Sequence, residues 1–220
     1  MSYFDVTIAD PPYGETSLQW DARCTGWLSL VASNNLWCFG SFRFFFEGAS
    51  EFRGWTLAQD CVWEKHNGSN FHADRFRRVH ELYVQFYRGR WSDVYKAPVT
   101  TPDATRRTVR RKHRPKHTGN IGASAYESHD GGPRLMRSVR FVRSCHGFAE
   151  HPTQKPVELL SPLVEYSCPT EGRVLDPFAG SGSTLVASKK LARRSVGIEI
   201  EERWCEVAAK RLSSTEVGAV

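Results

Sequence analysis

Asp10-Pro11-Pro12-Tyr13 follows directly on residues 4–9, the β-branched run FDVTIA. Two adjacent prolines have no N–H to donate and a fixed φ, so the Pro11 carbonyl is held outward as a bare acceptor. The Asp10 carboxylate is a second acceptor beside it, and Tyr13 adds an aromatic face. Two acceptors and a ring suit the exocyclic amine of a planar heterocycle. N–H groups donated to both acceptors orient the nitrogen lone pair, otherwise delocalised into the ring, toward an electrophile. An ordinary Pro-Pro turn with an exposed tyrosine has the same four residues.

A second constellation lies at residues 174–184, VLDPFAGSGST. A strand leading through Asp176 into Gly180-Ser181-Gly182 and then a helix lets a ligand approach the backbone beside a helix N-terminus. No Gly-Lys-Ser/Thr follows, and Leu185 stands where a dinucleotide fingerprint has its third glycine, so neither a phosphate loop nor a pyrophosphate site fits. Glu199, 23 residues after Asp176, ends the next strand, where a carboxylate accepts both hydroxyls of a ribose. The ligand expected is an adenosine-containing molecule without a pyrophosphate. The alternative is purely structural, with both glycines packing a helix on a strand and Glu199 a helix N-terminal charge. His113, His117, His129, Cys145 and His146 crowd one region at spacings that match no compact ligand set, so no metal is expected.

The elements that position these groups can be read coarsely. Strands are expected at residues 4–9, 35–39, around 61–63 and at 81–87, with a helix over 18–33. In the second half a helix starts at Pro156, with Val157, Leu160, Leu163 and Val164 on one face, and Pro162 should kink or shorten it. Strand 173–175, helix 183–192, strand 195–198 and helix 202–212 follow, a β-α-β-α unit that predicts an open, mostly parallel sheet.

The chain of 220 residues suits one full-sized domain with a small insertion, and 40% apolar residues exclude a disordered tail. Residues 24–42, the long uncharged stretch, are broken by serines and asparagines and lack the roughly 20 continuous apolar residues of a bilayer span. The N-terminus has no basic or apolar region of a signal peptide. Six scattered cysteines without a C-x-x-C fit buried thiols in a reducing compartment, so the cytoplasm is expected. The formal charge is +6, and residues 106–117, RRTVRRKHRPKH, hold seven Lys/Arg and no acid. The rest of the chain is therefore close to neutral. From residue 89 to 147 prolines and glycines punctuate the chain and apolar periodicity fades, as in an insertion or long loop.

Together, Asp-Pro-Pro-Tyr, HPTQKP at 151–156, DPFAGSGST and Gly197-Ile198-Glu199 resemble the S-adenosylmethionine-dependent DNA amino-methyltransferases. Catalytic motif first and cofactor motif second is similar to their β class. Residues 63–67 (WEKHN) and 75–81 (RFRRVHE) also resemble the family's segment after the catalytic strands. The resemblance implies an α/β fold, a doubly wound, mostly parallel Rossmann-like methyltransferase sheet. Residues 1–88 would be its catalytic half, 89–147 an inserted basic target-recognition region and 148–220 its S-adenosylmethionine-binding half.

It also implies that Asp10, Pro11 and Tyr13 bind the amine, with Pro12 shaping the turn. Asp176, Phe178, Gly180, Ser181, Gly182 and Glu199 would hold S-adenosylmethionine. His151, Thr153 and Lys155 would lie near its methionine carboxylate, Lys155 as a partner for it or as a solvated lysine. Ser183 stands where the family usually has threonine, and only nine residues precede Asp10, so an N-terminal strand and helix are expected to be missing or supplied otherwise.

The reaction implied is direct in-line displacement, with methyl passing to a base flipped out of duplex DNA onto Tyr13. Arg106, Arg107, Arg110, Arg111, Lys112 and Arg114 would meet phosphates or guanine edges. Carbon-5 methylation of cytosine needs a thiolate in a Pro-Cys pair, and none of the six cysteines follows a proline. Aspartate at position 10 resembles the adenine-N6 members more than the Ser-Pro-Pro-Tyr of cytosine-N4 members. Cytosine-N4 transfer, an RNA substrate, or an inactive DNA-binding protein on the same fold are the alternatives. Pairing of two chains is implied by the class.

Overall fold

The computed structural model describes residues 3–68, 73–111 and 123–218. They form two compact units, residues 1–97 with 138–220, and residues 98–137.

The larger unit is built on a seven-stranded sheet. Its strands are β1 (Val6–Ala9), β2 (Asn35–Gly40), β3 (Thr56–Glu64), β4 (His80–Tyr87), β9 (Val139–Phe141), β10 (Arg173–Asp176) and β11 (Arg194–Gly197). The order across the sheet is β11-β10-β1-β2-β4-β3-β9, and β4 runs against both its neighbours while every other pairing is parallel. Strands buried on both faces read as continuous apolar runs rather than alternating ones. In β2, Trp37 and Phe39 enter one core with Val6, Ile8 and Tyr83, while Leu36 and Cys38 enter the other with Phe52 and Phe86. Thr7 of β1 is tolerated between them because its hydroxyl meets that of Ser33 at 2.7 Å.

The first core is closed by α2 (Val157–Ser167) and α3 (Ser183–Lys190), through Leu159, Leu160, Leu163, Val164 and Ala187. Pro162 does not end α2, which runs on to Ser167. A proline at 162 cannot bond the Glu158 carbonyl. Arg140 of β9 supplies the missing donor, reaching the Glu158 and Leu159 carbonyls at 3.3 Å each. The second core is covered not by a long helix but by 3-10 turns at Trp27–Ser29 and Ala49–Phe52 and by the short α1 (Phe42–Glu47).

The helix expected over residues 18–33 is thus absent apart from that first turn. The physical reason is Gly26, left-handed at φ 79° in the middle of that span where a right-handed helix cannot continue. Ahead of it Asp21 serves the preceding turn, its carboxylate gathering the N–H groups of Tyr13, Gly14, Glu15 and Thr16 at 2.7–3.1 Å. Burial alone would raise the Asp21 carboxyl, but these bonds and the Thr16 hydroxyl outweigh it and hold the group below its ordinary value. α4 (Glu202–Ser213) follows β11. No helix among the described residues is long and apolar enough to cross a membrane.

The smaller unit pairs β5 (Thr100–Thr101) with β8 (Arg134–Leu135), and β6 (Arg107–Arg111) with β7 (Ser124–Ser128), both antiparallel. It spans less than the 89–147 expected as an insertion. Residues 138–147 begin with β9, which is a strand of the main sheet, and Ala97 N–H bonds the Tyr166 carbonyl of α2. What read as aperiodic is two short ladders. In β6 arginines flank the buried Val109, masking the alternation. Arg106, Arg107, Arg110 and Arg111 are exposed, and Lys112, His113, Arg114 and His117 lie outside the described residues.

Candidate active site

Ligands of open parallel sheets sit outside the strands' carboxyl ends, where the strand order reverses. Here the chain winds outward from β10 to β11 and, on the other side, from β1 to β2, so the reversal lies between β1 and β10. These two pair directly, Val6 with Val174 and Thr7 with Leu175. Asp10 and Asp176 therefore leave the sheet side by side.

The turn after β1 is held from three directions. Tyr13 donates its hydroxyl to Asp10 Oδ1 at 2.5 Å, and its ring lies 5.3 Å from that of Phe44. Burial, then the neighbouring Asp10 carboxylate, raise the phenol well above its ordinary value, so Tyr13 stays neutral. The Asp21 carboxylate fixes the backbone beyond it.

The other oxygen, Asp10 Oδ2, accepts from Lys155 Nζ. The resemblance leaves Lys155 either a partner for a cofactor carboxylate or a solvated lysine; the structure buries it against carboxylates of the protein. Only 8% exposed, its ammonium meets Asp10 and stands 3.6 Å from Glu81 Oε2, while Glu81 Oε1 is paired with Lys65 at 3.2 Å. Burial opposes the charge on Lys155, yet Asp10 and Glu81 outweigh it and raise its pKa. Burial likewise works against the Glu81 carboxylate, and Lys155 and Lys65 hold it below its ordinary value. Lys65 is lowered by burial, which Glu81 only partly offsets.

On the β10 side a cavity of about 580 Å³ opens, the size of a small-molecule site. Asp176, Phe178, Gly180, Ser181, Glu199, His151, Thr153 and Lys155 all line it. Glu199 accepts the N–H of Gly180 at 2.8 Å and those of Ile200 and Glu201 at 2.8 and 2.9 Å, tying the glycine turn to the end of β11. The Ser181 hydroxyl is shared between Gln154 and Arg211, both at 2.9 Å. His151 is flanked by Trp20 and Trp204, with ring centroids at 5.4 and 4.5 Å, and accepts from the Thr153 N–H. Burial lowers its pKa and keeps the imidazole neutral. Gly182 does not line the cavity. With φ at 77°, a Cβ there would come 2.8 Å from that of Ala208, so glycine allows α4 to pack on the turn.

Burial pushes the Asp176 carboxyl up to about 7, against the Thr184 side chain and the Phe178 N–H, which favour its charged form. A folded-state pKa above the unfolded value of about 3.9 lowers stability as pH climbs between the two values, by at most about 1.4 kcal/mol per pH unit. Asp176→Asn is expected to lose that slope. Urea unfolding at pH 5 and pH 8 measures it, and equal slopes in variant and wild type would contradict a raised Asp176.

A second cavity, of about 1090 Å³, lies on the opposite side of the turn, lined by Pro11, Tyr13, Arg43, Lys65, Arg78 and Glu81 among others. Asp10, Pro12, Trp20, Thr153, Gln154 and Lys155 line both cavities. The Asp-Pro-Pro segment is thus the wall between them. Sequence reasoning missed Trp20 and Arg211, which carry no motif of their own, and passed over Gln154 although it lies inside HPTQKP. It reached Lys65 and Glu81 only as parts of longer stretches of resemblance.

Residues 4–210 match the family model described as DNA methylase, N6_N4_Mtase. The chain belongs to this DNA methylase family. It is 28% identical over 204 residues to the type II methyltransferase M.HinfI of Haemophilus influenzae, covering 89% of this chain and 52% of that protein. Over 70 residues it is 46% identical to the putative methylase YubD of Escherichia coli K12, 32% of this chain and 31% of YubD. The methylase therefore spans about half or less of the length of these curated relatives.

Among solved structures, the M1.HpyAVI–SAM complex shares 26% identity with a TM-score of 0.63, covering 95% of this chain and 88% of that one. PvuII DNA methyltransferase, cytosine-N4-specific, has the same TM-score at 12% identity, covers 96% of this chain and 79% of that one, and shows the fold alone. The Rossmann-like methyltransferase fold of this methylase, with its mostly parallel sheet, is the fold of these neighbours.

Proposed function

We propose that this methylase transfers a methyl group from S-adenosylmethionine to the N6 amine of adenine in double-stranded DNA, acting in the cytoplasm. The observation that carries this reading is the wall itself: Asp10 and Pro12 border both cavities, one sized for a cofactor, the other open and lined by Tyr13 and arginines.

The first cavity suits the cofactor's chemistry. Asp176 and Glu199 offer carboxyl groups to a cationic ligand, and Trp20, Phe178 and Trp204 offer aromatic faces to a positive sulfur and a purine. Glu199 Oε2 accepts one N–H, leaving a lone pair for a ribose hydroxyl. S-adenosylmethionine, when bound, supplies a methyl group on a positively charged sulfur that an amine displaces in line, with no covalent enzyme intermediate. The chain's part is to hold the amine. Asp10 and the Pro11 carbonyl accept its two N–H groups, draw the lone pair out of the ring and stabilise the charge growing on nitrogen. Tyr13, neutral and packed on Phe44, offers the flipped base a face to stack on.

Adenine rather than cytosine rests on aspartate at position 10. Unmodified duplex DNA incubated with methyl-labelled cofactor and digested to nucleosides should yield N6-methyladenine by mass spectrometry. N4-methylcytosine alone would overturn the choice of base, label in neither would overturn transfer to DNA, and a preference for RNA in competition would overturn the substrate.

Target recognition belongs in this reading to the basic smaller unit, residues 98–137, whose exposed Arg106, Arg107, Arg110 and Arg111 would meet DNA phosphates, with Lys112 and Arg114 from the adjoining segment. Replacing Arg107, Arg110 and Arg111 together by alanine should lower the slope of log affinity against log salt by about 2–3, since each phosphate left without its arginine removes about 0.9. An unchanged slope in a filter-binding titration would assign phosphate binding to other residues.

A further inference from the structure

Both oxygens of Asp10 are occupied, Oδ1 by the Tyr13 hydroxyl and Oδ2 by the Lys155 ammonium. An acceptor already engaged by a cation is a poor one for an incoming N–H, so an amine entering the wall has to share Oδ2 with Lys155 or displace it. The place for a displaced ammonium is already built. Glu81 Oε2 is buried, has no hydrogen-bond partner among the described residues, and stands 3.6 Å from Lys155 Nζ. A buried carboxylate oxygen left without a hydrogen bond costs free energy, which a lysine moving toward it recovers. Lys65 holds the other oxygen of Glu81 at 3.2 Å and so fixes the direction of the empty one. The rings of Phe39 and Trp63, 5.2 and 5.9 Å from Lys155 Nζ, line its surroundings with apolar faces that attract a cation without binding it in one place.

We propose that Glu81, aimed by Lys65, is a positioning residue that draws the Lys155 ammonium off Asp10 as the target amine enters, freeing Asp10 Oδ2 to accept an N–H of that amine. The proposal rests on the methyl-transfer reading above. It assigns Lys155 to a place between two carboxylates, one at the reacting amine and one behind it. No proton changes hands. One charge-assisted hydrogen bond is exchanged for another, and the four charges of Asp10, Lys155, Glu81 and Lys65 sum to zero throughout.

Glu81→Gln removes the receiving charge. Turnover on duplex DNA should fall about tenfold. KM for DNA and the calorimetric affinity for S-adenosylmethionine should stay within about twofold, because the ground state of both cavities is intact. Since the single variant leaves two buried lysines facing one aspartate and could unfold, the charge-balanced Glu81→Gln/Lys65→Gln variant is measured beside it. It should show the same loss of kcat, with a melting temperature close to wild type. Wild-type kcat in the double variant would mean that only charge balance had been disturbed, and would overturn the proposal, as would unchanged kcat in Glu81→Gln or a loss carried by KM instead. A wild-type protein without transfer to DNA would overturn the functional reading and this proposal together, whereas a failure confined to the variants overturns only the proposal.

Discussion

Replacing Asp10 with alanine lowers methyl transfer to DNA about 10³-fold, the scale of losing a preorganised hydrogen-bond partner at a reacting centre. In the proposed reaction two acceptors hold the amine, and alanine removes the charged one while leaving the Pro11 carbonyl. Affinity for S-adenosylmethionine changes little, because Asp10 borders that cavity but turns its oxygens toward Tyr13 and Lys155. The substitution also strips Lys155 of its nearer carboxylate. Breaking a buried pair costs about 3–5 kcal/mol, and Glu81, 3.6 Å away, should bring the loss toward the lower end.

Asp10→Asn separates the two effects. Its amide oxygen still accepts from Tyr13, so stability recovers more than turnover does. Single-turnover rates beside chemical unfolding of both variants give the comparison. Turnover of either within about tenfold of wild type would remove Asp10 from the reacting amine and favour a DNA-binding role for the fold.

Glu199→Gln weakens S-adenosylmethionine binding about 10–100-fold, while kcat at saturating cofactor falls much less. A hydrogen bond to a charged acceptor contributes about 1.5–3 kcal/mol. Besides its proposed bond to a ribose, this carboxylate organises the cavity wall, because the N–H groups of Gly180, Ile200 and Glu201 all converge on it. Glutamine can meet these donors with one oxygen and sets an NH2 where the second oxygen stood. Calorimetric titration with the cofactor checks the loss of affinity. Unchanged affinity would confine Glu199 to an internal brace between the glycine turn and β11.

The parts legible in the sequence are those where local chemistry and tertiary demand coincide. β2 reads as a strand because both its faces are buried, so every residue from Leu36 to Phe39 is apolar. The β10-α3-β11-α4 unit is legible because its turn carries glycines and an acid stands at the end of β10 and just beyond β11. Gly182 belongs to the turn, but its role is contact with Ala208, a position 26 residues away that no local pattern couples to it.

The failures have the opposite cause. Residues 18–33 contain enough apolar side chains for a helix, yet Gly26 stands left-handed in their middle and Asp21 is turned back to hold the preceding turn. The burial of Lys155 is not legible because its partners, Asp10 and Glu81, are remote in sequence and meet it only through the sheet. A buried lysine and a solvated one are spelled alike.

Pro162 is spelled as a helix breaker, and the arginine that compensates for it does more than complete a hydrogen-bond ladder. Arg140 ends its reach at the carbonyls of Glu158 and Leu159, so the last strand of the sheet and the first turn of α2 are clasped together. Everything between them, including His151, Thr153 and Lys155, is a loop whose two ends have already been brought close. The entropy of closing that loop is lost at the clasp rather than at the moment of ligand binding. A segment that touches both cavities thereby stays near its working position before either is filled, held by a contact on the far side of the proline.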